Sequence, residues 1–292
     1  MAQILNILER FDLKAMGANS ADFVHVVTEA MKLAFADRAY WLGDPDFTRV
    51  PRGLTSTNYA TQLASRIRRD QVISGVEHGT PPNATQDVFP KVYTSAPDAK
   101  HTTHFSVADA EGNWVACTAT INTTFGSKVV IPGTGVVLNN EMDDFATSPL
   151  TPNAYGLVGG SANAVAAGRR PLSSMTPTIL VKDGQLRAVV GTPGGSTIST
   201  TVTQIVRALL DYGVTLDVAV KAPRVHHQWK PDRIVAEPTL DPATAAGLKA
   251  RGHEMAEWGS IGHANCIEVD PATQGYRAVA DVTRDGGEAV AY

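Results

Sequence analysis

Two adjacent threonines, Thr102 and Thr103, stand where a polar stretch with four prolines, "GTPPNATQDVFPKVYTSAPDAKH", gives way to the alternating run "HFSVAD". A threonine hydroxyl is a weak nucleophile unless a base takes its proton. One arrangement that supplies the base makes threonine the first residue of a chain. Its own α-amine, with a reference pKa of about 7.7–8.0, then lies within reach of the side-chain oxygen. Exposing that amine requires cutting the preceding peptide bond, and the same hydroxyl can attack the preceding carbonyl to form an ester that water opens. A loop-to-strand junction suits both steps. The plainer alternative is that both threonines are β-formers at the start of a strand.

Four further stretches carry groups such a reaction would use. In "TATINTTFGS", strand alternation puts Thr118, Thr120 and Asn122 on one face, where they can hydrogen-bond a nucleophile on a paired strand. In "LNNEMDDFATSP", Glu141, Asp143 and Asp144 form an acidic cluster able to hold an ammonium group, although acidic residues in turns are commonly just solvated. "RRPLSSMTPT" offers the paired hydroxyls of Ser173 and Ser174 to an anion. "GTPGGSTIST" places Gly194 and Gly195 before a helix start, where backbone N–H groups can receive an oxyanion. This glycine pair is not a nucleotide-phosphate loop, because no Gly-Lys-Ser/Thr follows. His226 and His227 are adjacent and would face opposite ways on a strand, which argues against both binding one metal. No metal and no cofactor is expected.

These groups need a scaffold. "SADFVHVVTEAMKLAFADRAYWLG" repeats apolar residues at helical spacing (Phe23, Val26, Val27, Ala30, Leu33, Ala34), with Ser20 as N-cap and Gly43 and Pro45 at its end. A shorter helix is expected over 58–68 and an irregular linker over 70–101. Beyond Thr102 the texture changes to hairpins, "HFSVAD-AEGN-WVACTATIN" and "TPTILVKDGQLRAVVGT", with the second turning at Asp183-Gly184. Helices follow in "STTVTQIVRALLDYG" and "DPATAAGLKARG", then short strands around 266–269 and 276–280. Hairpins and helices arrive in blocks, which favours an α+β fold of antiparallel sheet covered by helices over a doubly wound parallel sheet.

Composition sets outer limits. The 292 residues carry a net charge of −4 with no basic block, so nothing points to nucleic acid. No apolar run is long enough to span a bilayer, and "MAQILNILERFDL" reads as an amphipathic helix, without a signal-peptide pattern. Cys117 and Cys266 show neither metal nor redox spacing.

Taken together, "LGDPDF", "TTHFSVAD", "GNWVACTATINTTFGS", "NNEMDDF", "PNAYGLVGG", "RRPLSSMTPTI", "GTPGGS" and "APRVHHQW" resemble the γ-glutamyltransferase (glutathione hydrolase) family of N-terminal-nucleophile hydrolases. The resemblance runs over essentially the whole chain. It implies an αββα sandwich of stacked antiparallel sheets covered by helices, incomplete at its N-terminal side because family precursors are about twice as long. Residues 1–101 correspond to the C-terminal part of a large subunit and 102–292 to a complete small subunit. A self-cut between His101 and Thr102 would give a heterodimer from one precursor. Thr102 takes the place of the nucleophile and Thr120 of the hydroxyl that positions it. Asn122, Glu141 and Asp144 correspond to the grip on the donor α-amino group, and Ser173 and Ser174 to the grip on its α-carboxylate. Gly194 and Gly195 correspond to the oxyanion hole, and Tyr155 to a gate residue on a lid.

The implied reaction is γ-glutamyl transfer or hydrolysis. Donors would be glutathione and other γ-glutamyl compounds, and acceptors water, amino acids or dipeptides. A periplasmic or extracellular location is the family expectation. The upstream half, with an arginine that pairs with the donor carboxylate, has no counterpart in 1–101. Two alternatives stand beside this: a related acylase cutting glutaryl-type side chains of β-lactams, which would not need the ammonium grip, and an inactive truncated polypeptide.

Overall fold

Ser20 starts the longest helix as its sequence suggests, its hydroxyl accepting the Phe23 N–H at 3.1 Å. The computed structural model containing it describes residues 1–84, 100–146, 152–270, 273–284 and 286–291. In chain order the elements are α1 (Ala2–Leu8), α2 (Leu13–Met16), α3 (Ala21–Trp41), α4 (Thr57–Ala64), β1 (Lys100–Ala108), β2 (Trp114–Thr123), β3 (Thr178–Lys182) and β4 (Gln185–Val190). They continue with α5 (Ile198–Asp211), α6 (Leu216–Lys221), β5 (Val225–His226), β6 (Ile234–Ala236), α7 (Pro242–Ala250), β7 (Met255–Glu257), β8 (Asn265–Val269) and β9 (Tyr276–Ala280). The helix expected over 58–68 occupies Thr57–Ala64, because Ser56 caps it one residue early and the bonds to Leu63 and Ala64 carbonyls tighten its last turn. The expected linker is irregular from Asp70 to Ala84, and the rest of it, 85–99, lies outside the described residues.

The chain forms two compact units, each assembled from three separate segments. The first comprises Met1–Ala99, Asn140–Ser173 and Val225–Glu257. Its centre is α3, in which every residue from Phe23 to Asp37 is buried. The apolar spacing predicts one buried face. The opposite face is buried too, because α1, α4, α7 and β5 pack around the helix. Polar side chains enclosed this way need partners. Lys32 is fully buried and reaches Glu29 at 2.8 Å, Asp232 at 3.2 Å and the Ile73 carbonyl at 3.0 Å. His25 and His253 share a hydrogen bond of 2.7 Å. A three-stranded sheet, β5-β6-β7, completes the unit, and its β6–β7 pair is parallel.

The second unit comprises Lys100–Asn139, Ser174–Arg224 and Trp258–Tyr292. Here the hairpins form as expected, β1 with β2 and β3 with β4, both antiparallel. The four-stranded sheet β3-β4-β8-β9 is antiparallel throughout. One side of it packs against α5 and α6, and the β1–β2 hairpin lies against its strands. Thr102, His104 and Ser106 share one face of β1 by alternation. Ser106 Oγ donates to the Asn265 carbonyl at 2.8 Å, which turns that face toward β8. The opposite face leaves Phe105, Val107 and Val115 about half exposed (48%, 50% and 48%).

Candidate active site

Thr102 sits on β1 opposite Thr120 on β2, and its Oγ1 donates to Thr120 Oγ1 at 3.0 Å. Thr120 Oγ1 also accepts the backbone N–H of Asn122 at 2.8 Å. Asn122 is 1% exposed and adopts φ = +79°, a left-handed conformation that asparagine tolerates better than most residues. This conformation lies within β2, between the Thr102–Thr120 pair and the Lys100–Thr123 pair beyond it. On the other side, the β1–β2 register slips between Lys100 and Thr102, so the pairing is irregular across the bond preceding Thr102. Of the three residues that alternation grouped on β2, Thr120 bonds both Thr102 and the Asn122 backbone, while Thr118 pairs with His104 instead.

Two residues along the same face, His104 is 2% exposed and hydrogen-bonds Thr118 at 2.7 Å and Ser106 at 3.2 Å. Burial pushes its imidazole down to about 4, so it is neutral at ordinary pH. Its ring occupies the space where Gly191 lacks a side chain, since a Cβ there would lie 2.0 Å from the ring. Gly191 begins the loop from β4 to α5 that carries Gly194 and Gly195. Gly194 has φ = +147° and Gly195 φ = +57°. A Cβ on Gly194 would meet Thr197 Oγ1 at 2.6 Å. The Gly194 carbonyl is occupied by the Thr197 hydroxyl at 2.9 Å and the Thr197 N–H at 3.2 Å, which fixes the plane of the Gly194–Gly195 peptide. Ser174, the first residue of its segment, belongs to this same unit.

Glu141, Asp144, Tyr155 and Ser173 belong to the first unit. Glu141–Asp144 is a single 3₁₀ turn, and Asp144 is buried while Asp143 is exposed. Burial, with Glu141 and Asp143 nearby, pushes the Asp144 carboxyl up to about 7, and Arg38 opposes this. Glu141 is also raised by burial. Tyr155 is buried against Phe35, Leu157 and Trp229, and its hydroxyl is raised by burial and by the charges of Asp144 and Glu141. The acidic turn and the proposed gate tyrosine are therefore neighbours. Arg38, Asp144, Asn153, Leu157 and Asn163 line a small indentation that is partly open to solvent. A carboxyl that titrates near neutrality beside a second carboxylate suits a cationic guest, whose charge would favour the ionised form of Asp144.

Three residues of this region escape sequence reasoning. Arg38 reads in the sequence as one more polar position on a long helix. Burial lowers its guanidinium to about 10, still charged at neutral pH, and Asp144 holds it up. Asp44 and Arg170 lie within quoted blocks but far apart in the chain. The Asp44 carboxylate accepts the Arg170 backbone N–H at 2.8 Å, its Nε at 3.0 Å and its Nη2 at 2.7 Å, which holds the Asp44 carboxyl well below the usual range. His226 and His227 take separate partners, Gln228 and Asp232. Among the described residues no cluster of three His, Cys, Asp or Glu side chains could hold a metal ion, and no helix is long and apolar enough to cross a membrane.

The family model for gamma-glutamyltranspeptidase matches residues 1–291. The glutathione hydrolase proenzyme of Escherichia coli K12 is 45% identical over 289 residues, covering 97% of this chain and 48% of that protein. A crystal structure of a Helicobacter pylori gamma-glutamyltranspeptidase mutant superposes with a TM-score of 0.59 and 47% identity, covering 61% of this chain and 98% of that one. Cephalosporin acylase from Bacillus halodurans superposes with a TM-score of 0.78 and 27% identity over 99% of this chain and 49% of its own. The mixed helix and antiparallel-sheet architecture is that of the N-terminal-nucleophile hydrolases. The chain spans about half the length of the curated relatives it matches. With the family model matching nearly every residue and relatives 39–45% identical along its length, this chain belongs to the gamma-glutamyltranspeptidase family.

Proposed function

We propose that the chain carries the catalytic machinery of a γ-glutamyl transferase and glutathione hydrolase, with Thr102 as nucleophile. The observation that carries this reading is the 3.0 Å bond from Thr102 Oγ1 to Thr120 Oγ1 on the paired strand. In the precursor, Thr102 Oγ1 attacks the His101 carbonyl carbon, the acyl group moves from nitrogen to oxygen, and water hydrolyses the ester. The products are a His101 carboxylate and a free Thr102 α-amine, dividing the chain into 1–101 and 102–292.

In the processed protein the α-amine takes the Oγ1 proton as that oxygen attacks the γ-carbonyl carbon of glutathione. Gly194 and Gly195 N–H groups receive the oxyanion. The amine returns the proton to the departing nitrogen of cysteinylglycine, leaving a γ-glutamyl ester on Thr102. Water then yields glutamate, or the amine of an amino acid or dipeptide yields a new γ-glutamyl amide. Asn122, Glu141 and Asp144 hold the donor ammonium, Ser173 and Ser174 its α-carboxylate, and Tyr155 covers the bound donor.

The acylase reading is favoured by the structural likeness to cephalosporin acylase. Two acidic side chains with raised pKa values at the amino-group position favour the γ-glutamyl donor instead, since a glutaryl chain offers no cation to offset them. Partnership with an upstream polypeptide segment is part of this proposal. It is supported by the length of the relatives and by the apolar outer face of β1–β2. The test is release of aniline from a chromogenic γ-glutamyl anilide by the chain co-produced with that segment. Turnover that is lost in Thr102→Ala supports the reading, and turnover retained by Thr102→Ala rejects it. Glutaryl-anilide turnover exceeding γ-glutamyl turnover favours the acylase.

A further inference from the structure

The acidic turn and the serine segment are joined by a single buried side chain. Asn163 closes the short 3₁₀ turn Ser161–Asn163 and is 7% exposed. Its Nδ2 donates to the Asp144 carbonyl at 2.8 Å, and its Oδ1 accepts the Leu172 N–H at 2.9 Å. Its own carbonyl accepts the Ala146 N–H at 2.9 Å. The chemistry of the partners fixes the amide orientation, since a carbonyl must face the N–H group and an N–H must face the carbonyl. Only a side chain with one donor and one acceptor on a common carbon makes both bonds at this length. Leu172 immediately precedes Ser173, so Asn163 spans from one end of the donor grip to the other within the first unit.

The segment bearing Asn163 is itself held by the "LGDPDF" stretch, which the reaction does not otherwise use. A Cβ on Gly43 would lie 1.9 Å from the Ala162 carbonyl oxygen, so glycine lets that backbone press directly on the turn. Thr48 Oγ1 donates to the same carbonyl at 3.0 Å. Asp44 takes the Arg170 N–H, two residues before Leu172. Both ends of the 162–170 loop are thereby fastened to residues 43–48, the motif and the threonine that follows it.

We infer that Asn163 is a positioning residue for donor recognition, holding the Asp144 carboxylate and the Ser173 hydroxyl at the separation of an amino group and a carboxylate on one α-carbon. This rests on the γ-glutamyl reading of the site. Asn163 and its partners belong to the first unit, whereas Thr102 and Thr120 belong to the second, so its loss is expected to act on donor binding and to leave the self-cut alone.

The experiment measures KM and kcat for a γ-glutamyl anilide, with the fragment masses, in wild-type, Asn163→Ala and Asn163→Asp proteins co-produced with the upstream segment. Two buried hydrogen bonds predict a KM raised by about tenfold to a hundredfold in Asn163→Ala, with kcat within about threefold and cleavage at Thr102 complete. Asn163→Asp keeps the volume and the Leu172 bond but faces the Asp144 carbonyl with oxygen, and its KM rises as well. If Asn163→Ala does not fold, the Asp variant decides. A wild-type KM in whichever variant folds, or a fall in kcat at unchanged KM, overturns the inference. Absence of γ-glutamyl turnover in the wild type is a separate result that rejects the functional reading beneath it.

Discussion

Thr120 Oγ1 is shared between two donors, the Thr102 hydroxyl at 3.0 Å and the Asn122 N–H at 2.8 Å. The second bond leaves Thr120 oxygen oriented by the backbone of its own strand, so Thr102 Oγ1 is held in one rotamer before any substrate arrives. Thr120→Ala should slow acylation by roughly 10- to 100-fold, the effect of losing one hydrogen bond to a positioned group. Thr120→Ser should retain most of the rate, because it keeps the oxygen. Single-turnover kinetics of the three proteins check this, and equal rates for the Ala and Ser variants would count against it.

Asp144 must be ionised to hold an ammonium group, yet burial and its acidic neighbours place its titration at about 7. Donor KM should therefore rise as pH falls below about 7, approaching tenfold per pH unit, while Asp144→Asn shows a high KM with no such slope. The same burial acts on stability. An aspartate whose folded pKa lies above its unfolded value destabilises the fold once pH rises past the unfolded value, near 4, and the cost is complete above the folded value. Asp144→Asn should accordingly stabilise the unliganded protein at pH 8 by about 2–4 kcal/mol, read from denaturant unfolding at pH 8 and pH 4.

Gly194 combines φ = +147° with Thr197 Oγ1 only 2.6 Å from where a Cβ would stand. Gly194→Ala should turn the peptide that offers its N–H to the oxyanion and cost about 10²- to 10³-fold in kcat. Donor KM should change little. A large KM effect with intact kcat would move Gly194 from the oxyanion to the ground state.

The first unit depends on buried polar pairs that lie away from the reaction. Removing Lys32 leaves Glu29 enclosed without its 2.8 Å partner, and Lys32→Ala should destabilise by about 3–5 kcal/mol. His253 is pushed down to about 3 by burial, then by the charges of His25 and Lys32. A histidine depressed in the folded state is protonated first in the unfolded chain. Stability should therefore fall as pH drops from about 6.5 toward 3, and His253→Gln should flatten that acid limb in thermal melts.

Much of the fold was legible because it is local. Ser20 and Asp241 announce their helices through caps that the structure contains, with Asp241 accepting the Thr244 N–H at 3.0 Å. Asp183-Gly184 announces its hairpin through positive φ at both residues. The Thr102, Thr120 and Asn122 group was legible for the same reason, since these residues need only one hairpin to meet. The β5-β6-β7 sheet was not, because strands of two or three residues leave no period, and its parallel pair joins segments separated by α7. Arg38 and Asn163 were missed on physical grounds as well. A half-buried arginine on a helix and an asparagine in "GSANA" have no local signature, and their roles come from partners more than a hundred residues or one folded loop away.

In the proposed mechanism Thr102 Oγ1 cuts the bond before it, and Thr102 becomes a chain terminus with its own base. Intact-mass spectrometry of the chain co-produced with the upstream segment, beside Thr102→Ala, tests it most directly. Two polypeptides are expected, 1–101 and 102–292, the second beginning with a free threonine amine, and one uncut chain in the variant. An uncut chain in both proteins, or the same two fragments in both, would contradict it.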